Sequence, residues 1–170
     1  MTNQKSDEPY IKIEDSKEDL EFWINKDFID EKLREKLKTS NALILPDEGF
    51  RDRKDIHFPV GTTELFNYLE KQENEEFIPE ICFGDDDYKE LALHHDLITI
   101  GTFLATNVGL PLLVSHIYDY LKTKWGKLSN KNVKIKLIEQ DGKKVRKLTY
   151  EGPAEDFNKH VLKALKEGKK

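Results

Sequence analysis

Residues 97–118, LITIGTFLATNVGLPLLVSHIY, run for 22 positions without a charged side chain. The reading of this stretch decides the fold. It is long enough for a membrane-spanning helix, which needs about 20 apolar residues. It also carries Thr99, Thr102, Thr106, Asn107, Ser115 and His116, with Gly109 and Pro111 near its middle. Glycine commonly ends a helix and proline opens one. The composition therefore predicts a buried helix pair, 97–108 and 111–125, with Leu104, Leu112 and Ile117 inside. A span would also leave Lys122, Lys124, Lys127 and Lys131 holding one side in the cytoplasm and require export of the acidic N-terminal part. Membrane association through 97–118 stands as a second alternative, and a membrane partner is not expected.

Downstream, Val133, Ile135 and Leu137 alternate with Lys134 and Lys136, the pattern of a half-buried strand. Asp141–Gly142 is a favoured two-residue hairpin turn. Val145 to Tyr150 returns, with a phase slip before Leu148 that predicts a bulge. Gly152–Pro153 ends the strand and opens a helix whose apolar face is Phe157, Val161, Ala164 and Leu165. This unit, 132–167, is a hairpin plus helix within the larger domain.

Upstream, Tyr10, Ile11 and Ile13 suggest a short strand. Ser16, with Asp19 as its reciprocal partner, marks the start of an amphipathic helix that reaches about Lys38 with a break near 25–27. NALILP, Asn41 to Pro46, is too short for a core helix and suits a buried strand. Thr62 or Thr63 caps a helix through Leu65, Phe66 and Leu69, and Phe77 to Phe83 reads as the next strand. Strand, helix and strand in this order predict a parallel crossover. Tyr88 to His95 is expected to form a further strand.

Together these elements predict a mixed α/β (α+β) fold. One domain over 9–170 follows a flexible polar segment 1–8, with a mixed sheet of five or six strands covered by about five helices. The chain has 170 residues, enough for one substantial core. Its single cysteine, Cys82, excludes an intrachain disulfide and a cysteine-based zinc cluster. MTNQKSDEPY has no apolar run of the kind a secretory signal needs, and with one thiol this fits a cytoplasmic protein. Charge is uneven: residues 1–100 hold 13 Lys/Arg against 26 Asp/Glu, and residues 101–170 hold 15 against 7.

Four constellations bear on chemistry. Asp47 leaves the end of a strand, and Asp87-x-Lys89 begins another. A period of two puts Asp87 and Lys89 on one face, where Asp47 and Asp87 would hold Mg²⁺ or Mn²⁺ and the lysine would position water, with Glu80 as a further ligand. In four residues this resembles the PD-(D/E)xK nuclease pattern. A capping aspartate and a solvated acidic turn account for the same residues. His94 and His95 are adjacent, so on a strand they face opposite ways and do not readily share a metal; Asp96 reads as a helix cap. Cys82, in Ile81–Cys82–Phe83, reads as a small buried hydrophobe. Finally, Lys122 to Lys147 holds ten basic residues against Glu139 and Asp141. Lys134, Lys136, Lys144, Arg146 and Lys147, with Trp125 to stack, form a candidate binding surface for nucleic acid or an acidic protein. Glycine-rich nucleotide loops of either standard kind are absent from the sequence.

These readings favour a non-catalytic interaction module, an accessory subunit of a cytosolic assembly with a protein partner and no resident cofactor. A metal-dependent nuclease or phosphodiesterase using Asp47, Glu80, Asp87 and Lys89 is the alternative.

Overall fold

Ten uncharged residues at the start of the 97–118 stretch form a β-strand, not a helix. Five of them, Ile98, Thr99, Ile100, Thr102 and Thr106, are β-branched, and such side chains lose rotamer freedom in a helix but pack well on a pleated surface. The strand lies inside a sheet, so apolar residues occupy both faces and the simple alternation is lost. That loss made the run look helical.

In the computed structural model the described residues are 9–47, 57–84, 90–91, 97–106 and 110–167. In chain order they form β1 (Tyr10–Asp15), α1 (Leu20–Ile24), α2 (Glu31–Lys38), β2 (Ala42–Leu45), β3 (Phe58–Pro59), α3 (Thr62–Lys71), β4 (Pro79–Ile81), β5 (Glu90–Leu91), β6 (Leu97–Thr106), α4 (Leu110–Trp125), β7 (Asn132–Asp141), β8 (Lys144–Pro153), a 3-10 turn (Ala154–Asp156) and α5 (Phe157–Glu167). This is the expected single mixed α/β domain, with a six-stranded sheet in the order β1-β8-β7-β6-β2-β4 and a small β3-β5 ribbon. β2 runs parallel to β4 across the α3 crossover, and β6 runs parallel to β7. The other pairs of the large sheet, β1–β8, β2–β6 and β7–β8, are antiparallel.

One face of the sheet is covered by α3, α4 and α5. Here Ile44, Phe103, Val133, Ile135, Leu137, Leu148 and Tyr150 meet Leu65, Leu69, Leu113, Val114, Ile117, Phe157 and Val161 in one core. On the second face Leu43, Leu45, Cys82, Leu104, Ile138 and Val145 meet Trp23, Ile24, Ile29 and Leu37. Fully burying a side chain of this size contributes about 1.5–3 kcal/mol over leaving it exposed. Leu104 and Ile117 are buried as expected; Leu112 is only half-buried against the first core. No described helix is long and apolar enough to cross a membrane.

Several local expectations are corrected. Asp19, not Ser16, caps α1, its carboxylate accepting from the Phe22 amide at 2.8 Å. The expected break is there but wider than 25–27: α1 ends at Ile24 and α2 starts afresh at Glu31 and runs to Lys38, with Asp30 accepting from the Leu33 amide at 2.7 Å. The α3 N-terminus is capped from 27 residues away, by Glu90, which accepts from the Thr63 amide at 2.9 Å and the Gly61 amide at 3.1 Å. The β7–β8 register is unbroken from Asn132↔Pro153 to Asp141↔Lys144, so the predicted bulge is absent there. The phase slip arises because Val145 packs into the second core and Leu148 into the first. A bulge does occur in β6, between Thr99 and Gly101. Gly101 has φ +138°, a conformation L side chains rarely adopt. The hairpin loop is Gly142–Lys143, one residue later than expected, and Gly142 has the positive φ of +62° that a type II′ turn requires at its first central position. Of the expected strand Tyr88 to His95, the described residues Glu90–Leu91 are extended; the rest, like residues 1–8, lie outside the described residues.

Candidate functional site

Among the described residues the second face of the sheet is only half covered, and strand alternation dictates what the open half carries. β7 places Ile138 under α1 and α2, so Lys136 and Lys134, two and four residues earlier, share its face. β8 places Val145 there, so Thr149 and Glu151 follow suit. Register then brings them into two rows. Lys12, Thr149, Lys136 and Thr102 form one; Tyr10, Glu151 and Lys134 form the next. α1 is short and ends at Asn25, and Arg34 of α2 ties back to it through the Ile24 carbonyl at 3.0 Å. This helical pair covers the apolar rows and stops there, leaving a polar patch with Tyr10 at 54% exposure.

Asp47 sits at the rim of this patch. It is held by a two-way backbone bridge with His57, the Asp47 amide donating at 2.8 Å and the His57 amide at 3.3 Å. Burial raises the Asp47 pKa above the ordinary aspartate value, and the positive charges of Lys136, His57 and Lys134 offset part of that rise. A raised folded-state pKa means the native state prefers a protonated Asp47. Its charge therefore opposes folding once the pH passes above the unfolded value, near 3.8. Asp47→Asn keeps the backbone bridge and removes the charge. It is expected to raise the melting temperature at pH 7, with the gain vanishing as the pH falls below about 4. Thermal melts of both proteins from pH 3 to pH 7 check this; an unchanged difference at all pH values would contradict it.

The other candidate residues are dispersed. Glu80 is 8% exposed, and its carboxylate takes the Lys36 ammonium at 3.1 Å and the Ile81 amide at 3.1 Å. It pairs in register with Leu43, four residues before Asp47, which at the strand rise is about 13 Å along the sheet. The geometry does not bring Asp47 and Glu80 to one ion. Asp87 and Lys89, like Asp52, His94, His95 and Asp96, lie outside the described residues. Among the described residues there is no group of three or more His, Cys, Asp or Glu side chains placed to hold a metal ion. Cys82 is fully buried in the second core.

The basic stretch, continuous in sequence, divides among separate surfaces. Lys122 and Lys124 lie on α4 and pair with Asp119 at 3.7 Å and Glu64 at 3.1 Å. Trp125 is half-buried at the end of the same helix, lining a small cavity with Ile98, Ile100 and Tyr120 on the first face. Lys134 pairs with Glu151 at 3.4 Å on the second face. Arg146 is buried on the first face against Glu139 at 2.6 Å, and Lys147 reaches Glu18 at 2.8 Å beside α1. Lys144 is exposed at the hairpin tip. Sequence reasoning put these side chains together because it counted charges; alternation and internal carboxylates separate them. It missed Lys12, Tyr10, Thr102 and Thr149, which join Lys134 and Lys136 only through strand order. The alternation of Lys12 with Ile11 and Ile13 was the available signal. Comparison of the chain with protein-family models, with curated proteins and with solved structures finds no match.

Proposed function

We propose that the protein is a non-catalytic interaction module, an accessory subunit of a cytosolic assembly, that docks a protein partner on the open half of its second sheet face. One observation carries the reading. A sheet face that is packed with apolar side chains under α1 and α2 turns abruptly into two rows of lysine, threonine, tyrosine and Glu151 with no helix over them among the described residues. Lys12, Lys134 and Lys136 present ammonium groups there, the first two in partly exposed contacts with Glu14 at 3.5 Å and Glu151 at 3.4 Å that carboxylates of a partner surface can replace. The strands fix the spacing of the backbone, so binding needs ordering of the lysine side chains only. The test is isolation of the protein at native abundance from its own cells, at low and moderate salt. A stoichiometric protein partner, weakened as salt rises, is expected. Recovery of the protein alone, or with nucleic acid only, would count against this reading.

A further inference from the structure

We propose that the outer edge of β1 is a self-association site, at which β1 pairs antiparallel with β1 of a second copy and joins two six-stranded sheets into one. This inference stands on the edge itself and does not rest on the partner-docking reading above.

β1 is the terminal strand of the sheet order and is hydrogen-bonded on one side only, to β8. Among the described residues no backbone hydrogen bond reaches its other side. Its six residues, YIKIED, contain neither proline nor glycine, and five of the six are exposed. Such an edge is a template for another strand unless something blunts it. The opposite edge is different: β4 has three residues and begins with Pro79, which has no amide hydrogen to donate. Among the described residues, Tyr10 and Ile13 are two of the four large hydrophobic residues that remain exposed, at 54% and 37%.

The sequence of β1 is self-complementary in one register. A two-fold axis normal to the sheet and passing beside Ile13 sets Ile13 against the partner's Ile13. It sets Lys12 against the partner's Glu14, and Glu14 against the partner's Lys12, so each ion pair occurs twice. Alternation keeps both ion pairs on the open face and both isoleucines on the other. Moving the axis to Lys12 would oppose two lysines, and moving it to Glu14 would oppose two glutamates. Within one copy Lys12 and Glu14 already lie 3.5 Å apart, with side chains 55% and 46% exposed. They can exchange this exposed contact for the cross-strand one at little cost. Lysine on an edge usually discourages pairing; here its charge meets a carboxylate of the second copy. In the joined sheet the two open faces lie on the same side and form one continuous surface. A single strand pair buries less than a typical stable interface, so the dimer is expected to be weak and reversible.

The experiment uses the full chain. Sedimentation equilibrium is measured up to about 100 μM, where the mass should rise from 19.9 kDa towards twice that value. Lys12→Glu alone and Glu14→Lys alone should each hold the protein monomeric, because each sets like charges opposite one another. The double variant Lys12→Glu/Glu14→Lys should restore the dimer. Ile13→Cys should cross-link to itself under mild oxidation, the one native thiol, Cys82, being fully buried; this trap keeps the test decisive if a charge variant fails to fold. A wild-type protein that stays monomeric and an Ile13→Cys variant that does not cross-link would overturn the proposal. A dimer indifferent to the single charge reversals, or not restored by the double one, would overturn it equally.

Discussion

Phe103→Ala is expected to destabilise the fold by about 3–5 kcal/mol, the range for deleting a fully buried aromatic side chain. Phe103 is 1% exposed and lies in β6, which has β2 on one side and β7 on the other. In register it faces Ile44 across one interface and Leu137 across the other. Its ring also borders the bulge: a Cβ added at Gly101 would stand 3.6 Å from it. The cavity left by alanine is bounded by strands on two sides and by the α4 layer, so it has little room to collapse. A domain of this size has about 5–15 kcal/mol of stability in all, so the loss is a large fraction of the total. Urea unfolding gives the value directly; a loss below about 1 kcal/mol would mean that 97–106 does not form the centre of the sheet.

Breaking the Glu139–Arg146 pair from one side is expected to cost a similar amount. The two groups lie opposite each other on β7 and β8, are 9% and 7% exposed, and meet at 2.6 Å. Glu139→Ala leaves a guanidinium buried without its counter-charge, for which about 3–5 kcal/mol is the usual penalty. Removing both charges is a different matter. Among the described residues Arg146 Nη1 is buried with no hydrogen-bond partner even with Glu139 in place, so desolvation is incompletely compensated there. Glu139→Met/Arg146→Met, which fills the space with apolar groups, is expected to lie within about 1 kcal/mol of wild type or above it. Chemical denaturation of the single and double variants checks both values. A double variant as unstable as the single one would show that the pair contributes net stability.

What could be read from the sequence follows the range of the interactions concerned. β2, the hairpin, α5 and the parallel β2–α3–β4 crossover are specified by neighbours in the chain: a four-residue apolar run, a glycine turn, an apolar stripe at helical spacing. They were legible. β6 was not, because a strand buried on both faces shows no period of two, and Gly109–Pro111 gave helix signals that applied only to α4. The break between Val145 and Leu148 was visible, but its cause, two cores on opposite faces, depends on α1 and α2 arriving from more than a hundred residues away. The same holds for the site. Lys134 and Lys136 were legible as one exposed strand face. The addition of Lys12 and Tyr10, and the removal of Arg146 into a buried pair with Glu139, depend on the order β1-β8-β7, which composition does not encode. The Glu90 cap on α3 is non-local in the same way, where the sequence offered Thr62 and Thr63 next door.

The most direct test of the docking reading is the affinity of the purified partner for wild-type protein and for Lys134→Glu/Lys136→Glu. Both lysines are half-buried at the base of the open face and neither packs into a core, so the variant should still fold, with a lower melting temperature because Glu151 and the partly buried Asp47 lose their positive neighbours. The account predicts at least a tenfold loss of affinity, about 1.4 kcal/mol, with the salt dependence of binding reduced. Equal affinity for the two proteins, with both fully folded, would place the partner elsewhere and contradict it.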